Sequence, residues 1–126
     1  AQDKRKQAVE NISNELKVQI NEFTVAGFRE EKYFAHHWYL GCDEPIDKEV
    51  AIKKIDEHLK VLNDDYRVER EEALSNLYID ILPTHVFYDF MEKTGKIGGA
   101  TKFPRVLKGK RYDDWKDYIS SMNLEK

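Results

Sequence analysis

Glycine and proline break regular backbone more sharply than any other residues, and this chain places most of them in one stretch. Of nine, five (Gly95, Gly98, Gly99, Pro104 and Gly109) fall between residues 95 and 109. The interruptions are therefore concentrated in a single loop, and the remaining sequence is free to run in long patterned elements. The chain shows no repeat, no low-complexity tract and no linker. Its 126 residues fit one domain, read here as residues 1–126.

The opening stretch, 3–17, reads as a helix, because Ala8, Val9, Ile12 and Leu16 recur at helical spacing. From Lys17 to Ala26 the pattern changes to period two and slips by one, which predicts a strand with a bulge near Glu22. A turn is expected over 27–31. Residues 32–40, with Tyr33, Phe34, Trp38 and Tyr39, form a β-rich aromatic run that is bulky on both faces and so belongs in the middle of a sheet.

Asp43-Glu44-Pro45 closes that strand. Asp47 is a suitable N-cap for a long helix, and Asn63-Asp64-Asp65 breaks it into a second one that carries Tyr66, Ala73, Leu74 and Leu77. A short strand over 78–82 follows. Pro83 opens a helix whose buried side is Val86, Phe87, Phe90 and Met91, with Gly95 just past its end. Residues 96–105 read as loop and 112–122 as a last helix. The expected fold is α+β: a small two-layer domain with a mixed or antiparallel sheet of about three strands covered by helices.

The net charge is −3, but it is unevenly distributed. Residues 93–116 hold eight basic and two acidic side chains, a local +6 that leaves −9 on the rest. A basic segment on an acidic body suits a local anion site better than a nucleic-acid coat. It also reads as a solvated, lysine-rich loop. No apolar run approaches the roughly 20 residues that span a bilayer, and no leader opens the sequence, so no signal peptide is expected. One cysteine, Cys42, excludes an internal disulfide and an all-cysteine metal site, and points to a reducing, cytoplasmic setting.

The segment from Gly95 to Arg105 is the most informative for chemistry. Its glycines permit close backbone approach, Lys102 and Arg105 add charge, and Pro104 stiffens the chain between them. Gly98, Gly99, Thr101, Lys102 and Arg105 are the candidate phosphate-loop residues. The spacing is not that of a P-loop, and Phe103 stands where Ser or Thr would hold magnesium. A structural turn is the competing reading.

His36 and His37 are adjacent on a strand, point to opposite faces and cannot share a metal; packing or surface roles are expected for them and for His58 and His85. No metal site is expected. Cys42 is expected to be a structural thiol. Tyr33, Trp38, Phe87, Phe90, Trp115 and Tyr118 are read as core, and Glu69 to Glu72 as a solvated helix face from which Arg70 is available for a domain contact.

Several blocks, in order, carry a resemblance. They are Phe23-Thr24-Val25-Ala26, His36-His37-Trp38, Leu62-Asn63-Asp64-Asp65-Tyr66 with Arg70, Leu82-Pro83, Phe87-Tyr88, Met91, Gly95-Lys96-Ile97-Gly98-Gly99 and Lys102-Phe103-Pro104-Arg105. The ordered set resembles the C-terminal domain of the auxin-responsive (Gretchen Hagen) acyl-acid amido synthetases and is most similar to bacterial members.

The resemblance implies an adenylate-forming ligase that uses ATP and Mg2+ to activate a carboxylic acid, releasing pyrophosphate, and then passes the acyl group to an amine or amino acid. It implies that this chain is the mobile lid of such an enzyme, that the N-terminal adenylation domain is its partner, and that the lid alone is inactive and binds no cofactor. It further implies that Lys102 is the catalytic cation, moving in to contact the nucleotide phosphates, and that Arg105 either orients the loop or, preferably, pairs with the main domain. The loop over 96–105 is expected to be mobile in an isolated lid. The alternative from the residues alone is a free-standing phosphate- or RNA-binding module that uses 93–116; no membrane partner is expected, and the acidic total argues against nucleic acid.

Overall fold

The computed structural model describes residues 4–94 and 103–122. Nine elements follow in order: α1 (Lys4–Leu16), β1 (Ile20–Glu30), β2 (Tyr33–Cys42), α2 (Lys48–Leu62), α3 (Asp64–Glu72), β3 (Leu74–Leu82), α4 (Thr84–Lys93), β4 (Val106–Leu107) and α5 (Gly109–Met122). The four strands form one mixed sheet in the order β3-β2-β1-β4. β1 and β2 are an antiparallel hairpin, while β3 joins β2 and β4 joins β1 in parallel. The α+β class holds. β2 is central, as its two-sided bulk requires, although its first residues Tyr33 and Phe34 are 49% and 46% exposed. Tyr33 is thus not a core residue.

Local chemistry sets several boundaries. Asp47 caps α2 by accepting from the amides of Glu49 and Val50 at 2.9 and 3.3 Å. Asn63 ends α2 and caps α3, its side chain accepting from Tyr66 N at 3.2 Å. The register of β1 against β2 shifts between Ile20 and Glu22, at the predicted bulge.

Five further expectations are corrected. The turn is not 27–31: β1 continues to Glu30, and Glu31 makes the reversal at φ 57°. The run Ala73–Leu77 is not helical, because α3 stops at Glu72 and Leu74 onward pairs with β2. A fourth strand, Val106–Leu107, adds to the expected three by pairing with Val25 and Ala26. Lastly, α5 begins at Gly109, where φ is +63°, three residues ahead of Tyr112. Pro83 occupies the N-cap of α4 rather than its first turn.

Helices cover both faces of the sheet and produce two cores. One packs α1, α2 and α3 on Phe23, Val25, Trp38, Leu40 and Ile79. The other packs α4 and α5 on Ala26, Tyr39 and Leu82, with Phe103 inserted between them.

Candidate functional site

The site suggested by sequence spans the end of α4, residues 95–105 and the start of β4. Gly98, Gly99, Thr101 and Lys102, with the Gly95 helix stop and the loop over 96–102, lie outside the described residues. What is described is how the chain is held on either side. Thr94 closes α4, its hydroxyl donating to Phe90 O at 3.0 Å. Phe103, immediately after Lys102, is 2% exposed. Its ring meets Phe87 and Trp115 edge-on, each at 5.0 Å between centroids. Such aromatic pairs add about 0.5–1.5 kcal/mol each beyond burial. Two residues later the backbone joins the sheet, with Val25 N donating to Arg105 O at 3.0 Å.

Arg105 makes its contacts inside the domain. Its guanidinium donates to Glu22 Oε1 at 3.1 Å and to Phe23 O at 3.5 Å, and lies 4.4 Å from the centre of the Phe23 ring. Glu22 also accepts from the Tyr88 hydroxyl at 3.0 Å. Burial, then the bond to Glu22, raises the Tyr88 pKa. The bulge at Glu22 therefore carries a carboxylate that ties α4 to the strand after Lys102. Neither Glu22 nor Tyr88 is among the candidate site residues of the sequence. The change of period at Glu22 was the available signal, but it does not reveal a partner 83 residues away.

Two lysines of the remaining basic segment are paired locally. Lys110 meets Asp114 at 3.0 Å and Lys116 meets Asp113 at 3.7 Å, and Lys116 also lies 4.4 Å from the Tyr112 ring centre. These exposed pairs contribute little stability, but they reduce the charge that α5 offers a polyanion.

His36 and His37 do face opposite sides of the sheet. His37 stacks on Tyr39 and its Nε2 lies 2.9 Å from Asp80 Oδ2, while Lys48 reaches the other oxygen at 3.3 Å. Burial acts to raise the Asp80 pKa, but the hydrogen bonds and charges of His37 and Lys48 outweigh it and hold the carboxyl below its ordinary value. His58 pairs with Glu15 and His85 with Asp89. Arg70 bonds Asp56 and the carbonyl of Leu74, bracing the α3–β3 junction. The Cys42 thiol is buried, which raises its pKa, and it donates to Glu44 O; this is not a nucleophile's setting. Among the described residues, no three His, Cys, Asp or Glu side chains gather as metal ligands, and no helix is long and apolar enough to cross a membrane.

Residues 3–111 match the family model described as the GH3 family C-terminal domain. No curated protein matches the chain. Among solved structures it is similar to a GH3.15 acyl acid amido synthetase at 20% identity and a TM-score of 0.66, covering 94% of this chain and 23% of that one. It is also similar to AtGH3.15 acyl acid amido synthetase in complex with 2,4-DB, at 16% identity and a TM-score of 0.65, covering 93% and 23% respectively. At these identities the likeness concerns the fold, and the chain spans about a quarter of either protein.

Proposed function

We propose, on the premise that this chain belongs to the GH3 family as a C-terminal domain, that it is the mobile lid of an ATP-dependent acyl-acid amido synthetase. In this reading the lid closes on an N-terminal adenylation domain that holds the acid, ATP and Mg2+. The intact enzyme forms an acyl-adenylate and transfers the acyl group to an amine or amino acid, in a bacterial cytoplasm.

Lys102 is the residue that acts. Charge builds on the α-phosphate and on departing pyrophosphate, and a cation delivered there stabilises the transition state more than the ground state. A domain movement brings it in before chemistry and withdraws it afterward. Gly98, Gly99 and Thr101 supply backbone and hydroxyl donors beside it.

The observation that carries this reading is the anchorage next to Lys102. Phe103 is locked among Phe87, Phe90 and Trp115, and Arg105 is clamped to Glu22. The anchored Phe103 and Arg105 move with the domain as a body, and Lys102 directly precedes Phe103 in sequence. The test is ATP–pyrophosphate exchange by the intact ligase. Lys102→Ala is expected to lower the exchange rate by about 10²–10³-fold; an unchanged rate would remove Lys102 from the chemistry. Micromolar, steeply salt-dependent binding of short RNA by the chain would favour the module reading instead.

A further inference from the structure

The two outer edges of the sheet are finished differently. On β3, Arg70 Nη1 donates to the carbonyl oxygens of Leu74 and Ser75 at 2.7 and 3.3 Å, and Lys48 reaches Asp80 at 3.3 Å. Charges placed in this way blunt an edge against further pairing. The opposite edge strand, β4, has two residues against eleven in β1. It pairs Val106 with Val25 and Leu107 with Ala26, and the ladder stops there. β1 runs on to Glu30 with no strand on its outer side among the described residues.

One bond sets the direction of the backbone along that stretch. Val25 N donates to Arg105 O, on the side away from β2. In an antiparallel pair, every second residue turns both backbone groups the same way. The register of β1 against β2 is regular from Glu22 to Glu30. Gly27 C=O and both backbone groups of Arg29 therefore face outward beyond β4. Gly27 and Arg29 are exposed. The Arg29 guanidinium lies 5.6 Å from the ring centre of Phe34, its cross-strand neighbour, and so leans toward β2.

A cavity of about 320 Å³ reaches the same edge, where Gly27 and Val106 line it. Val25, Trp38 and Leu59 add apolar lining, and the space admits a leucine side chain. Side chains alternate between the faces of a sheet, so an added strand sends every second one toward this cavity. The charged lining is Asp65, Glu69 and Arg5, an excess of one negative charge.

We propose that the outer edge of β1 from Gly27 to Glu30 binds an extended, basic segment of a partner protein as an added strand, with a leucine-sized side chain entering the cavity and a lysine two residues away meeting Asp65 and Glu69. In this mode of recognition the backbone bonds supply affinity and the side-chain cavity supplies selectivity. The proposal stands apart from the lid reading, since neither Lys102 nor a nucleotide enters it.

The test is a titration of the 126-residue chain with the end-capped pentapeptide Lys-Thr-Leu-Thr-Lys, followed in nitrogen–proton correlation spectra. The Arg29 amide signal is expected to move downfield and saturate, and its exchange with solvent to slow at least about fivefold. The amides of β3 are expected to stay in place. Lys-Thr-Ala-Thr-Lys is expected to bind at least about tenfold more weakly, equivalent to 1.4 kcal/mol. Glu-Thr-Leu-Thr-Glu is expected to bind at least about threefold more weakly. These peptides use the unaltered chain, so the test does not hinge on the folding of a variant. Arg29→Pro removes the outward N–H without breaking a bond to β2, and is expected to abolish the shift read at the Gly27 amide.

An Arg29 signal unmoved up to about 10 mM peptide, a dissociation constant well above the millimolar range, would overturn the site. Shifts along β3 in its place would also overturn it. Equal binding of the alanine peptide would overturn the role of the cavity, and equal binding of the glutamate peptide the basic character of the partner.

Discussion

Gly27 and Gly41 lie on neighbouring strands of one sheet, yet their surroundings are opposite. A Cβ on Gly41 would stand 2.9 Å from Phe87 Cε1 and 3.2 Å from Glu22 Cβ, too close for either to stay where it is. A Cβ on Gly27 would meet only His36, at 3.5 Å. Gly41 faces the α4–α5 side, where Phe87, Phe90, Phe103 and Trp115 touch ring to ring. Gly27 faces the α1–α3 side, which is largely aliphatic and open to a cavity. The contrast teaches that the two faces are packed differently. The closed face fixes Phe103, next to Lys102 in sequence, among aromatic rings, and the open face keeps a cavity of about 320 Å³.

The largest expected effects lie on the closed face. Phe87→Ala should cost about 4 kcal/mol, since the packed rings around it cannot collapse into the void. Leu59→Ala, at the edge of the existing cavity, should cost about 2–3 kcal/mol, the low end for such truncations. Denaturant midpoints compare the two, and a larger loss for Leu59→Ala would break the distinction. Gly41→Ala should lower stability by about 1–3 kcal/mol through overpacking, whereas Gly27→Ala should be neutral or stabilise by up to about 1 kcal/mol. Thermal unfolding of this pair is the cleanest side-by-side comparison of the faces.

A smaller effect sharpens the picture through pH. Burial depresses the His36 pKa below its ordinary 6.5; Glu69 raises it in part, while Arg5 and Arg70 lower it further. The unfolded chain therefore takes up this proton at a higher pH than the folded one. The stability His36 contributes is fully present above 6.5 and is lost as pH falls through its folded value. Stability measured between pH 7 and 5 should decline less steeply in His36→Gln; an unchanged slope would show that His36 is not held neutral by burial. Asp80, on the other face, is expected to contribute in the same direction at lower pH, since its pKa is depressed.

Elements specified by local chemistry were legible in the sequence. The Asp47 cap, the Asn63 break and the bulge before Glu22 each rest on one to four neighbouring residues. Elements decided by distant pairing were not. Ala73, Leu74 and Leu77 continue the helical spacing from Tyr66, but the parallel ladder to β2 takes them into a strand. Gly27 resembles a turn residue, yet the turn falls on Glu31 and Lys32, neither of which is a usual turn signal. β4 has two residues and exists only through Val25 and Ala26.

The same division applies to the candidate site. The composition of 95–105 drew attention to Lys102 and Arg105, but the Glu22–Arg105–Tyr88 link joins positions 66 and 83 residues apart in sequence. The cavity, built from six elements and the α2–α3 junction, left no trace in any local pattern.

The central claim is that the aromatic face holds Phe103 in place beside the lysine of the proposed reading, Lys102. On that reading, ATP–pyrophosphate exchange by the intact protein tests it most directly, with Phe103→Ala compared with Leu59→Ala under conditions where both remain folded. The account predicts a rate loss of at least about tenfold for Phe103→Ala, from misplacement of the adjoining lysine, and a near-normal rate for Leu59→Ala. Equal losses in the two variants, or a normal rate in Phe103→Ala, would contradict it.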